Sequence, residues 1–329
     1  MLVLTADDVR KALPMQDAIE AMKKAYASLS DGRAVVPLRT RLPVPPHDGL
    51  SLFMPAYVQT ETSKALAIKI VSLFPQNPQR GLAFIQAAVL VLEADTGRAL
   101  ALLEGSTLTA IRTGAGSGAA IDILARPDSR VLTVFGAGVQ GRTQTEAACS
   151  VRKIETVCVY DASAEQSRKF AAEMSGRGSI PANIYVAESP AQALKDADIV
   201  CTATTSSTPV FADRDLKAGT HISAVGSYTP EMQEVPAETV ARARVVVDSR
   251  SATLAETGDL VKPIQAGLFT EAHIAAELGE ILLGQKAGRQ NDSEITYFKS
   301  VGVAVQDAMA AQVAVKNARE MGLGQEVEF

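Results

Sequence analysis

The chain reads as an α/β protein in which a doubly wound parallel sheet is inserted into a second, α+β domain. Three observations predict this. A glycine-rich turn, Val134-Phe135-Gly136-Ala137-Gly138-Val139-Gln140-Gly141, falls in the middle of the 329 residues, not at their start. Ahead of it, strand-like runs follow one another with short connections. Behind it, strand-like and helix-like runs alternate, the pattern of a parallel sheet with crossover helices.

The elements can be justified in order. Thr5 or Asp7 suits the cap of a short first helix. Ala18, Ile19, Met22, Ala25 and Tyr26 recur at helical spacing, which predicts a helix over 15–29 with Gly32 past its end. Strands are expected at 36–44, 50–57, 65–74, 84–92 and 99–103, the last entered through the turn Asp95-Thr96-Gly97. Their short links imply antiparallel pairing. Ser106 opens a helix to about Leu124, closed by Pro127-Asp128-Ser129. Seven further strands are expected at 131–135, 156–160, 183–187, 198–203, 221–225, 244–248 and 295–299. A final helix over 303–321 comes after the last of them and is expected to return to the first domain. The domains are then 1–115 plus 303–329, and 116–302.

The glycine turn carries the first chemistry. Gly136 permits a tight turn, Gly138 lets the backbone approach a pyrophosphate, and Gly141 lets helix and strand pack closely. The N–H groups and dipole of the next helix favour an anion. Asp161 stands about 20 residues after Gly141, at the end of the next apolar run, where an acid accepts hydrogen bonds from ribose hydroxyls. That makes a Rossmann-type dinucleotide site. A carboxylate there repels a 2′-phosphate, so NAD(H) is favoured, with NADP(H) possible. Asp161 also suits the N-cap of the following helix.

Composition excludes other classes. Hydrophobic content of 47% and charged content of 21% fit a folded chain. A net charge of −5 gives no electrostatic footprint for nucleic acid. The N-terminal residues lack a signal-peptide pattern, and no apolar run reaches the length of a membrane span. Cys149, Cys158 and Cys201 have no metal-ligand spacing and read as buried free thiols, which points to a reducing, cytoplasmic setting. His47, His221 and His273 are scattered, so no metal is expected.

A nicotinamide enzyme acting on an acid needs cations, and the first domain offers three. Arg39 lies in Val36-Pro37-Leu38-Arg39-Thr40-Arg41, read as one strand with Arg39 and Arg41 on the same side. Lys69 lies in Leu66-Ala67-Ile68-Lys69-Ile70-Val71, and Arg112 in Leu108-Thr109-Ala110-Ile111-Arg112-Thr113-Gly114. Lys69 is the sharpest candidate, because a lysine among alternating apolar residues is costly to bury unpaired. Alternation alone leaves open whether it faces outward.

Ile68-Lys69, the stretch 108–114, the Gly136–Gly141 turn, Tyr160-Asp161, Ala224-Val225-Gly226 and Phe298-Lys299-Ser300-Val301-Gly302 recur in this order in the ornithine cyclodeaminase/mu-crystallin family, which the whole chain resembles. The resemblance implies an NAD(P)-dependent fold with a discontinuous substrate-binding and dimerisation domain, and a homodimer. It implies that Arg39, Lys69 and Arg112 bind the substrate carboxylate. It places Arg112, Thr113, Gly136, Gly138, Val139, Gln140, Gly141, Asp161, Thr202, Gly226, Ser227 and Val301 at the dinucleotide.

Two positions depart from the cyclodeaminases of that family. They carry an aspartate where this chain has Tyr228, and a glutamate where it has Leu52, ahead of Met54-Pro55. Deaminating and cyclising a diamino acid needs ionisable groups there. The segment 225–232 instead resembles the pyrroline-2-carboxylate reductase branch. That implies hydride transfer to a cyclic α-imino acid, Δ1-pyrroline-2-carboxylate or Δ1-piperideine-2-carboxylate, giving L-proline or L-pipecolate. Lys69 would be catalytic, and Tyr228 would close the pocket or contact the ring. Alanine dehydrogenase, ornithine cyclodeaminase and a non-catalytic binding protein like mu-crystallin are the alternatives within the family.

Overall fold

In chain order the elements of this computed structural model, which describes residues 1–328, begin with β1 (Leu2–Leu4), α1 (Ala6–Ala12), α2 (Met15–Ser30), β2 (Ala34–Val35), β3 (Thr40–Val44), β4 (Gly49–Gln59), β5 (Lys64–Leu73), β6 (Ile85–Leu92), β7 (Ala99–Glu104) and α3 (Gly105–Leu124). Then come β8 (Val131–Phe135), α4 (Val139–Val151), β9 (Thr156–Tyr160), α5 (Ala164–Met174), β10 (Ile184–Val186), α6 (Pro190–Leu194), β11 (Ile199–Thr202) and β12 (His221–Ala224). The chain finishes with α7 (Ala237–Arg242), β13 (Arg244–Val247), α8 (Arg250–Glu256), α9 (Gly258–Gln265), β14 (Ile274–Glu277), α10 (Leu278–Leu282), β15 (Thr296–Lys299), α11 (Ala304–Met321) and β16 (Gln325–Glu326). Two compact units result: Met1–Arg112 with Val303–Phe329, and Thr113–Gly302. The division falls inside α3.

The first unit is built on a mixed sheet in the order β16-β1-β7-β6-β5-β4-β2, with β3 paired to β4. The consecutive pairs β3–β4, β4–β5, β5–β6 and β6–β7 are antiparallel, as short links require. The terminal strand β1 joins β7 in parallel. One face buries Leu52, Met54, Ala56 and Val58 of β4, Ala65, Ala67 and Val71 of β5, and Val89 and Val91 of β6. The helix α11 covers those three strands, and α2 packs on α11 and β4. Thr5 caps α1 through a reciprocal capping box with Asp8.

The expected strand over 36–44 is corrected to two pieces. Ala34 and Val35 pair with Val58 and Tyr57, whereas Thr40–Val44 pairs with the start of β4. Pro37 lacks the N–H a ladder needs, so 36–39 leaves the sheet. Arg39 therefore sits in a connection, and it does not share a strand face with the exposed Arg41.

The second unit carries a parallel sheet in the order β10-β9-β8-β11-β12-β15-β13-β14. Alternate residues feed opposite cores, as a strand's period of two demands. Leu132, Val134, Val157, Val159, Ile199 and Cys201 pack on one face with Phe170 and Ala148. Phe135, Cys158, Val200 and Ile222 pack on the other with Phe211 and Leu260. Covered on both sides, the strands read as continuous apolar runs. Strand order reverses between β8 and β11, which makes their carboxyl ends the switch point where ligands bind in such sheets. The edge strand β14 is not evident from the sequence, since Ile274-Ala275-Ala276-Glu277 has little strand character of its own.

Candidate functional site

At the switch point, β8 runs into the glycine turn. Gly136 adopts φ +98°, and a Cβ there would lie 2.5 Å from the Ala203 carbonyl oxygen. A Cβ on Gly141 would lie 2.0 Å from the Gly136 carbonyl oxygen, so both glycines are required by close backbone approach. Gly138 differs: a Cβ there meets no atom within 4 Å. It is the N-cap of α4 and provides no side-chain cap, so the first amide groups of that helix face outward beside an open approach. Gln140 lies in this first turn, and Val139 is 67% exposed.

A cavity of about 540 Å³ adjoins the turn, lined by Gly136, Gly138, Tyr160, Asp161, Ala162 and Thr204 among others. The Asp161 carboxylate accepts the Ala137 N–H at 2.8 Å and the Ser163 N–H at 2.9 Å. It thus ties the turn to the end of β9. The cap of α5 is Ser163, which corrects the expectation that Asp161 would serve as the N-cap. Arg142 reaches back from α4 to the carbonyl oxygens of Ala137 and Gly138 and is held by Glu173 at 2.7 Å. An uncapped helix start, an open glycine and an acid at the neighbouring strand end together fit a nucleotide's phosphates and ribose.

The other expected residues of this unit are held in buried polar contacts. The Thr202 hydroxyl and the N–H groups of Gly226 and Ser227 all donate to Glu234. The Ser227 hydroxyl meets the Met232 carbonyl and Thr257. The Val301 N–H donates to Asp248 at 3.0 Å, as do those of Ser249 and Gly302 and the Ser300 hydroxyl. The Thr113 carbonyl accepts from Gln144. Tyr228 comes after β12 and is 38% exposed. Glu234, Asp248 and Asp259, which organise these loops, carry no sequence signal that would have singled them out.

In the first unit Lys69 points into the core. It occupies the central strand β5 opposite Met54 and Val89, on the face that α11 covers. Its ammonium is 2% exposed and meets Asp307, in the first turn of α11, at 2.8 Å. The other oxygen of Asp307 accepts Nε of Arg112 at 2.9 Å. Arg112 Nη1 donates to Gln306 at 3.1 Å, and Gln306 donates to the Tyr26 hydroxyl at 2.7 Å. The outward-facing alternative for Lys69 is excluded.

Charge is set by this geometry. Burial, then the neighbouring Arg112 and Arg39, hold the Lys69 ammonium down at about 8, against the upward pull of Asp307. Burial pushes the Asp307 carboxyl up, but Arg112 and Lys69 outweigh it and hold it below the usual range. Lys69 and Arg112 thus share the one carboxylate of Asp307, and Arg39 acts on Lys69 electrostatically, a setting suited to a small carboxylate and to proton transfer near neutral pH. Asp307 is the partner that a buried Lys69 demanded. Leu52 is buried on the Lys69 face of the sheet, paired with Val71 of β5 and with Arg41 of β3, and is not itself ionisable.

Among the described residues, no cluster could hold a metal ion, and no helix is long and apolar enough to cross a membrane. The three cysteines are free and buried, and burial raises each thiol.

A doubly wound nucleotide-type sheet and a buried cation cluster in a second unit define a dinucleotide-dependent class of protein. The chain matches the model of the ornithine cyclodeaminase/mu-crystallin family over residues 1–322, and it belongs to that family. It is 43% identical to a Δ1-pyrroline-2-carboxylate reductase of Bacillus cereus, over 100% of both chains. Among solved structures it is similar to the Thermococcus litoralis Δ1-pyrroline-2-carboxylate reductase in complex with NADH and L-proline, at TM-score 0.94 and 45% identity, covering 99% of this chain and 100% of that one. It is also similar to an archaeal alanine dehydrogenase dimer with bound NAD, at TM-score 0.92 and 31% identity, covering 100% and 99%.

Proposed function

We propose that this chain is an NADH-dependent reductase of cyclic α-imino acids, with Δ1-pyrroline-2-carboxylate as substrate and L-proline as product. The observation that carries the reading is the buried Lys69–Asp307–Arg112 cluster, in a chain 43–45% identical to reductases of that substrate. Identity to the alanine dehydrogenase is lower, 31%.

The second unit binds the dinucleotide, with phosphates at Gly138 and the start of α4 and the adenosine ribose at Asp161. The dinucleotide supplies the hydride for the imine carbon. The first unit binds the substrate. Arg112, held along one edge by Asp307 and Gln306, keeps Nη2 for the substrate carboxylate, and Arg39 adds charge to the same environment. The imine already exists in the substrate, so these residues need only orient it and supply one proton to its nitrogen. Lys69, held near 8, is the proton donor; the nitrogen gains a proton as the carbon gains a hydride, which balances to a secondary amine. Neither Leu52 nor Tyr228 is the carboxylate that cyclodeaminases carry at those positions, so ornithine should not be turned over.

The first unit also forms a homodimer. The sheet face opposite α11 is lined by Phe53, Pro55, Leu66, Ile68, Leu90 and Leu92, half-buried, with Ile70 exposed. An apolar sheet face of this size left open is typical of a subunit interface.

Purified chain with Δ1-pyrroline-2-carboxylate and NADH should oxidise NADH and accumulate L-proline. Lys69→Ala should lower kcat by roughly 10²–10⁴-fold, the usual worth of a general acid. The affinity for NADH should stay unchanged. Absence of L-proline with every cyclic imino acid tried, despite NADH binding, contradicts the reading.

A further inference from the structure

Glu234 is fully buried, in the loop between β12 and α7, and gathers five donors. Oε2 accepts the Thr202 hydroxyl at 3.0 Å and the N–H groups of Gly226 and Ser227 at 2.7 and 3.1 Å. Oε1 accepts the N–H and hydroxyl of Thr204 at 2.6 and 2.8 Å. A Cβ on Gly226 would come within 2.4 Å of Oε1, so the loop is moulded onto this carboxylate. The N–H groups of Glu234 and Val235 donate to Asp259 at 2.7 and 3.1 Å. Asp259 in turn meets Lys299 at 3.2 Å and the Tyr297 hydroxyl at 3.3 Å, all of them buried.

An ionised carboxylate only accepts, and three N–H groups and two hydroxyls converging on Glu234 favour its charged form. Burial opposes that form and raises the carboxyl above its ordinary range, with Asp259 adding to the rise and Lys299 and Thr204 pulling against it. Two carboxylates and one ammonium leave a net negative charge, enclosed in the protein beneath the carboxyl ends of β11 and β12. Holding two loops together does not require a net charge, and an unbalanced one is costly to bury. In a doubly wound sheet the dinucleotide crosses the switch point, so its second half lies over the strands beyond it, here β11 and β12.

We infer that Glu234 is a positioning residue whose buried negative charge makes this unit bind the cationic, oxidised nicotinamide in preference to the neutral, reduced one. The inference rests on the proposed dinucleotide reading of the glycine turn. It assigns Glu234 an electrostatic part in the reaction: hydride loss develops positive charge on the ring, and a fixed anion stabilises charge that appears as the reaction proceeds.

The test is the pair of dissociation constants for NADH, by its fluorescence, and for NAD+, by displacement of NADH, on the intact chain. Glu234→Gln should weaken NAD+ about tenfold more than NADH, equivalent to about 1.4 kcal/mol. Because the amide of that variant faces backbone donors, Asp259→Asn gives a second reading. It removes the same unit of charge and retains an acceptor for the Glu234 and Val235 amides, and should shift the ratio the same way. Tyr297→Phe removes a hydroxyl contact to Asp259 and no charge, and should leave the ratio unaltered. Equal weakening of both forms by Glu234→Gln or by Asp259→Asn, or an equal ratio shift in Tyr297→Phe, overturns the inference. Failure of the unmodified chain to bind either form would instead overturn the dinucleotide reading.

Discussion

Lys69 shows how far a single residue can be argued. A lysine inside an alternating apolar strand must either face water or find an anion, and burial at 2% with Asp307 at 2.8 Å settles which. The sequence showed that a partner was needed only if Lys69 turned inward, and alternation left its direction open. Which acid would serve was not legible, because Asp307 is far away in the chain and its own helix is rich in small apolar residues. Glu234 and Asp259 were equally silent, since a carboxylate gathering loop amides has no local pattern. The acidity of Lys69 gives a signed prediction. Its ammonium is lost as pH rises through about 8, so kcat/KM should fall on that side if it acts as the acid. Asp307 raises the Lys69 pKa, so Asp307→Asn should move that fall to lower pH. An unmoved pH profile in Asp307→Asn would show that Lys69 is not the titrating group. Asp161→Ser should relax discrimination against NADPH; unchanged discrimination would confine Asp161 to its bonds with Ala137 and Ser163.

Among the elements, those of the parallel sheet were the most legible. The runs at 131–135 and 156–160 carry apolar residues on both faces, and the glycine turn between them marks the start of α4. Elements were lost where one residue outweighed the pattern, as Pro37 did in splitting an expected strand, or where pairing rather than propensity made the strand, as in β1 and β14. Inside the sheet, the fully buried His221 links β12 to β15 through Thr296 at 2.9 Å and contacts Ser223 at 3.0 Å. Burial, with Arg289 and Arg152 nearby, holds its pKa well below the ordinary 6.5. The unfolded chain therefore takes up this proton first as pH falls, so the stability His221 contributes is complete above 6.5 and declines below it. His221→Gln should flatten that part of the denaturant midpoint's pH dependence. A midpoint that declines identically below 6.5 in the variant would assign the acid sensitivity elsewhere.

For the whole molecule, the order of motifs along the chain located both halves of the proposed chemistry, one in each compact unit. The open apolar face of the first sheet gives a prediction about assembly. Ile70→Glu places a charge at its centre and should shift the chain from dimer to monomer in light scattering, while the buried cluster on the opposite face is untouched. A dimer that survives this change would put the interface elsewhere. The activity itself is tested most directly by comparing kcat/KM for preformed Δ1-pyrroline-2-carboxylate with that for pyruvate in saturating ammonium, both with NADH. A site that orients and protonates an existing imine should favour the cyclic substrate by at least about a hundredfold, a difference of about 2.7 kcal/mol in transition-state stabilisation. Equal or faster turnover of pyruvate with ammonium would contradict the account.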